Sequence, residues 1–199
     1  MAESKGSSIW TPANIVTCVR IVLVPVWLLM AEYARTHGLL GIGSPLAWAS
    51  FVLYALISLT DKLDGYLARS RNEVTDFGKF ADPIADKLAV IGALLYLMEL
   101  ELTPSWAVLL IVAREFLVSG LRMVVASKGV VVAASNLGKW KTATTMIAIC
   151  ALLLSVTLPM SDFTMFAQMA GSISMLVALV LTAWSGIDYF VKCWPHIAG

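Results

Sequence analysis

Long apolar runs alternate with short polar or glycine-bearing segments along the chain, and the runs have the length of membrane crossings. A crossing takes ~20 mostly apolar residues, because a helix rises ~1.5 Å per residue through a hydrocarbon core ~30 Å thick. The first run, about residues 15–33, follows a polar lead-in in which Thr11-Pro12 predicts a helix start, since proline suits a first helical turn. It carries Arg20 near its beginning and Pro25 inside it, where a membrane helix kinks but survives. The lead-in lacks a short apolar core with a small-residue cleavage site, so this run is expected to stay as an uncleaved anchor. Residues 34–44 bring Gly38, Gly41 and Gly43 and read as a loop.

The second run begins near Pro45, and its uninterrupted apolar stretch stops at Thr60. That stretch rises only ~24 Å, short of the bilayer core, so the helix is expected to continue through Asp61, Asp64 and Ala68. The third run is its mirror image: it turns cleanly apolar only after Asp86-Lys87 and ends near Met98. Both acidic ends are thereby drawn into one leaflet, joined by a polar segment over 70–81. Further helices are predicted over about 105–125, with Arg114, Glu115 and Arg122 inside, over 142–158, and over 165–191. The expected fold is an all-α integral membrane protein of six transmembrane helices with a short N-terminal juxtamembrane segment, in a single domain spanning 1–199. No internal repeat or low-complexity tract stands out.

Composition agrees. The chain is 59% hydrophobic and 14% charged, with mean hydropathy +0.84, against roughly 45–50% and about 25% in soluble domains. A net charge of +1 gives no reason to expect a nucleic-acid partner. Cys18, Cys150 and Cys193 show neither CxxC nor Cys/His spacing, so they read as small residues inside helices. Basic residues gather at Lys62, Arg69, Arg71 and Lys79 and again at Arg122, Lys128, Lys139 and Lys141, while the loops near 99–104 and 158–163 hold only Glu99, Glu101 and Asp162. The positive-inside rule then puts both termini and the acidic segment on the cytoplasmic side of a cell membrane, Arg35 being a mild exception. Trp10, Trp48, Trp106, Trp140, Trp184 and Trp194 fall near predicted helix ends, as an interfacial aromatic belt would have them. His37 and His196 have no ligand partner at metal-site spacing, and Asp188 stands at i, i+4 from Lys192.

The chemistry concentrates in residues 61–86. On a helix, Asp61, Asp64, Gly65 and Ala68 share one face, and Asp82 and Asp86 stand one turn apart on the next. Each uncompensated carboxylate at the bilayer centre costs roughly 2.5–3.5 kcal/mol on insertion scales. Two divalent cations would cancel the four charges, and an all-oxygen donor set without His or Cys favours Mg²⁺ or Mn²⁺ over zinc. Two metals beside Gly65, Gly78 and Arg69 suit phosphoryl transfer: the glycines admit a bulky phosphorylated ligand and the guanidinium can clamp a phosphate. The bland reading is an acidic helix end paired with Lys62, Lys79 and Lys87.

The pattern Asp61-x2-Asp64-Gly65-x2-Ala68-Arg69-x8-Gly78-x3-Asp82-x3-Asp86, eight fixed residues over 26 positions, resembles the signature of the CDP-alcohol phosphatidyltransferase family. The resemblance implies six membrane helices, a homodimer and a bimetal site open to the cytosol. It makes Asp61, Asp64, Asp82 and Asp86 metal ligands, with Asp86 also the general base toward an acceptor hydroxyl. It assigns Asn14, Thr17, Gly65, Ala68, Arg69, Thr75 and Gly78 to binding the CDP-lipid, with CMP as leaving group.

The acceptor is set by weaker likenesses. Asn14-x2-Thr17-x2-Arg20, Ala113-Arg114-Glu115-Phe116 and Gly138-Lys139-Trp140-Lys141-Thr142 resemble the branch of the family that uses sn-glycerol 3-phosphate, extending the likeness over about 12–145. The implied reaction moves the phosphatidyl group of CDP-diacylglycerol to sn-glycerol 3-phosphate. Arg114, Arg122, Lys139 and Lys141 form the kind of basic cluster that a phosphate-bearing acceptor requires. Simple anchoring is the alternative for Lys139 and Lys141, and an ion pair with Glu115 or Glu32 the alternative for Arg114. Phosphatidylglycerol, inositol phosphate or serine as acceptor, or a divalent-cation transporter, are the rival readings.

Overall fold

The computed structural model describes residues 11–70, 75–129 and 136–197; within these, the side chains of residues 13, 61–70, 76, 79, 136 and 196 lie outside the description. The described residues form helices α1 (Pro12–Thr36), α2 (Pro45–Ser70), α3 (Asp76–Glu99), α4 (Ser105–Ser127), α5 (Asn136–Thr157) and α6 (Asp162–Ile197), with no strand among them. The all-α expectation holds. Three segments, Asn14–Thr36, Leu137–Thr157 and Asp162–Pro195, are long and apolar enough to cross a membrane. The remaining three helices, of 26, 24 and 23 residues, reach ~35–39 Å at ~1.5 Å per residue, with Asp61, Asp64, Asp82, Asp86, Arg114, Glu115 and Arg122 along them.

Two helices start earlier than hydropathy suggests. α3 begins at Asp76, inside the segment read as a polar connection, and runs through Pro83. α5 begins at Asn136, so Lys139 and Lys141 lie within its first turns. The reason in α3 is the buried stripe of its first half. That stripe is Gly78, Ala81, Ala85 and Ala89, residues too small to register as an apolar face.

The chain divides into two compact units, Met1–Ala93 and Leu94–Gly199. In the first, Thr11 caps α1 by accepting the Asn14 N–H at 3.3 Å. One face of α1 is buried along Asn14, Thr17, Arg20, Val24, Trp27, Ala31 and Ala34, while Val22 and Leu29 on the other are exposed. An apolar outer face and polar residues on the inner one is the reverse of a soluble helix and suits a lipid surround. Trp27 packs on Tyr54 of α2 with ring centroids 4.8 Å apart. The loop before α2 turns through Gly38, Gly41 and Gly43 at φ 66, 72 and 67°, a region other residues avoid. Ser44 then caps α2, accepting the Ala47 N–H at 3.2 Å.

In the second unit α6 packs on both α4 and α5. At Gly171 the α5–α6 approach is so close that a Cβ would sit 2.8 Å from Leu152 Cγ and 3.1 Å from its backbone nitrogen. Small residues allow such contacts between membrane helices. The outward face of α6, including Phe166, Met169, Ile173, Val180 and Ile187, is apolar and exposed. All three cysteines are free thiols.

Candidate active site

In the first unit, the signature residues are organised by hydrogen bonds between the start of α1 and the start of α3. Thr75 immediately precedes α3, and its hydroxyl oxygen accepts the Gly78 N–H at 3.0 Å, which caps the helix. The same oxygen accepts from Asn14 Nδ2 at 2.8 Å, and Thr75 lies 3.1 Å from Asn14 Oδ1. Asn14 and Thr75 are 4% and 6% exposed, so little water competes with this knot. One turn along α1, the Thr17 hydroxyl donates to Asp82 Oδ1 at 2.7 Å.

These bonds revise the reason for Gly78. The sequence suggests room for a ligand, whereas a Cβ here would lie 2.7 Å from Asn14 Oδ1 and 3.3 Å from Thr75 Oγ1. The absent side chain admits Asn14.

Asp82 and Asp86 stand one helical turn apart on α3, both partly exposed. Asp82 receives a neutral hydroxyl and makes no ion pair among the described residues. Asp61, Asp64 and Gly65 lie on the helical backbone of α2, as do Ala68 and Arg69, but their side chains lie outside the described residues, as do those of Lys62 and Lys79. No group of three or more candidate metal ligands occurs among the described residues. The donor set itself, oxygen-only and acidic, fits a hard divalent cation.

In the second unit, α4, α5 and α6 bring together a basic cluster. Arg114 donates from Nη1 to Glu115 at 3.3 Å and from Nη2 to Ser185 Oγ at 3.0 Å, while its Nε is buried without a hydrogen bond among the described residues. Glu115 also accepts from Lys141, which is 4% exposed. Lys139, two positions away and so on the opposite side of α5, is exposed. Burial and pairing separate the two lysines: Lys141 is buried against Glu115, whereas Lys139 faces outward. Arg122 donates from Nη2 to the Tyr189 hydroxyl. Of the two partners weighed for Arg114, Glu115 is the one found; Glu32 instead binds Arg35, Nη2 to Oε1 at 2.6 Å. Asp188 pairs with Lys192 at 2.7 Å.

Sequence reasoning missed Ser185, Gly186 and Tyr189. Gly186 lets α4 approach, since a Cβ there would meet Arg114 Cγ at 3.3 Å. Ser185 and Tyr189 share a buried stripe of α6 with Thr182 and Cys193, and half-buried Gly186 borders it. Spacing alone marks that stripe, but only the α4–α6 packing tells which arginines it meets.

Comparison with known proteins bears on the family of the chain. The model of the CDP-alcohol phosphatidyltransferase family matches residues 10–184. The CDP-diacylglycerol–glycerol-3-phosphate 3-phosphatidyltransferase of Bacillus subtilis (strain 168) is 43% identical over 188 residues, covering 92% of this chain and 95% of its own. The protein of the same name from Rickettsia bellii (strain RML369-C) is 39% identical over 181 residues, 90% of this chain and 93% of its own. A probable phosphatidylglycerophosphate synthase of Mycobacterium tuberculosis (strain CDC 1551 / Oshkosh) is 37% identical over 187 residues, 94% of this chain and 83% of its own. With the family's pattern running through both units and relatives matched almost end to end, the chain belongs to the CDP-alcohol phosphatidyltransferase family.

Proposed function

We propose that this protein is a membrane enzyme that transfers the phosphatidyl group of CDP-diacylglycerol to sn-glycerol 3-phosphate, forming phosphatidylglycerophosphate and releasing CMP. The observation that carries the donor half is the knot of Asn14, Thr75 and Gly78 beside the Thr17–Asp82 bond. It fixes the start of α3, and with it the register of Asp82 and Asp86. The acceptor half rests on the names of relatives at 37–43% identity and on two cations, Arg114 and Lys141, sharing one carboxylate, Glu115.

In the reaction, the acceptor hydroxyl oxygen attacks the phosphorus that bears diacylglycerol, and the bond from that phosphorus to the CMP oxygen breaks. Asp86 takes the hydroxyl proton; a positioned base of this kind is worth typically 10²–10⁴-fold. Asp61, Asp64, Asp82 and Asp86 would hold two Mg²⁺ or Mn²⁺ ions, which supply charge neutralisation on the pyrophosphate. Thr17 orients Asp82, as partners behind metal ligands do. Gly65, Ala68 and Arg69 complete the CDP-lipid site, Arg69 through its guanidinium. Arg114, Arg122 and Lys141 take the acceptor phosphate, with Lys139 contributing longer-range attraction. The distribution of Lys and Arg supports an active site and both termini on the cytoplasmic side of the cell membrane. We assign one catalytic domain over 1–199, acting as a homodimer.

Acceptor choice is tested by offering purified protein CDP-diacylglycerol with glycerol 3-phosphate, phosphatidylglycerol, inositol phosphate or serine and identifying the lipid formed. Phosphatidylglycerophosphate is expected. Another product at higher kcat/KM would overturn the acceptor while keeping the family.

A further inference from the structure

Tyr189 stands where two arginines of α4 meet α6. Its ring centroid is 5.9 Å from Arg114 Cζ and 5.0 Å from Arg122 Cζ, and its hydroxyl accepts from Arg122. Only 2% exposed, it sits on the α6 stripe one turn beyond Ser185, which holds Arg114. The arginines themselves are eight residues apart, two turns or ~12 Å along α4. Like charges on flexible stems repel and spread unless something fixes them. An aromatic face attracts both cations, and the phenol oxygen gives one of them a directional bond.

From this geometry we infer that Tyr189 is a positioning residue that sets Arg114 and Arg122 as a paired clamp for a phosphate-monoester dianion, and so determines selectivity for a phosphorylated acceptor. The inference rests on the proposed reading of the basic cluster as the acceptor-phosphate site. Donors remain for the ligand: each guanidinium carries five N–H groups, and the partners described engage two on Arg114 and one on Arg122. Arg114 Nε is buried without a hydrogen bond among the described residues. Three cations against the single carboxylate of Glu115 leave the cluster with excess positive charge, which a dianion would balance.

The test is steady-state kinetics of the full chain in detergent or liposomes, comparing wild type with Tyr189→Phe, Tyr189→Leu, Arg114→Gln and Arg122→Gln. Tyr189→Phe keeps the ring and loses the directional bond, so KM for glycerol 3-phosphate should rise about tenfold. Tyr189→Leu also loses the ring and should raise it severalfold more. In both, kcat at saturating acceptor and KM for CDP-diacylglycerol should stay within about twofold, a split that general loosening of the helices would not produce. An unchanged acceptor KM in Tyr189→Phe, with a raised one in Arg122→Gln, overturns the role of Tyr189 and leaves the acceptor site standing. Parallel losses in kcat and both KM values overturn it as well, reducing Tyr189 to packing. An acceptor KM indifferent to both arginine variants sinks the underlying reading. Should Tyr189→Leu fail to fold, Tyr189→Phe decides alone.

Discussion

The Thr17 hydroxyl donates to Asp82 Oδ1 at 2.7 Å, joining α1 to the first half of α3. Thr17 is fully buried, so its hydroxyl is shielded from water while Asp82 stays partly exposed. Its purpose is orientation: it fixes one carboxylate oxygen so that the other faces a constant direction. Thr17→Val keeps the shape and removes the donor. Activity should fall about 10–100-fold with a raised requirement for Mg²⁺ or Mn²⁺, while stability drops only about 0.5–1.5 kcal/mol. Thr17→Ser should retain most activity. A metal titration of CMP release for the three proteins checks this.

Gly78 is defined by what occupies its missing side chain. A Cβ would lie 2.7 Å from Asn14 Oδ1, closer than Cβ atoms come to such neighbours in real structures. Gly78→Ala should therefore cost about 1–3 kcal/mol through overpacking and raise KM for CDP-diacylglycerol. Adding Asn14→Gly should restore stability without restoring donor affinity. The checking measurement is a double-mutant cycle on thermal unfolding in detergent, with coupling of about 1 kcal/mol or more expected.

Glu115 serves both Arg114 and Lys141. Removing one member of a buried ion pair leaves uncompensated charge and costs roughly 3–5 kcal/mol. Glu115→Gln should approach that loss, and Lys141→Met combined with it should recover part. Glycerol 3-phosphate, by supplying anionic charge, should raise the melting temperature of Glu115→Gln more than that of wild type. Differential scanning fluorimetry with and without the acceptor gives the answer.

The helical architecture was legible because lipid imposes length and hydropathy on every crossing, and the continuation of α2 past Thr60 followed from arithmetic on helix rise. The beginning of α3 was hidden because its buried stripe is Gly78, Ala81 and Ala85, small residues that give hydropathy no signal. Asn14 and Thr17 could be named from a motif, but the motif does not say that they bind Thr75 and Asp82 rather than ligand alone. Tyr189 lay beyond sequence reach. It becomes visible only when α6 is laid against α4, bringing a residue 67 positions from Arg122 to its guanidinium.

Asp86→Asn separates chemistry from assembly. The amide preserves size but does not accept the acceptor proton, so turnover should fall by about 10²–10⁴-fold. CDP-diacylglycerol binding should weaken far less, as read by a binding titration on the same preparation. Near wild-type turnover in folded Asp86→Asn would remove this residue from the role of base.

The most direct test of the whole account is CMP release from CDP-diacylglycerol by purified protein, measured with and without glycerol 3-phosphate and with and without Mg²⁺ or Mn²⁺. The account predicts release that requires both acceptor and metal, with one phosphatidylglycerophosphate formed for each CMP. No release with any acceptor, from protein shown to be folded, would contradict it.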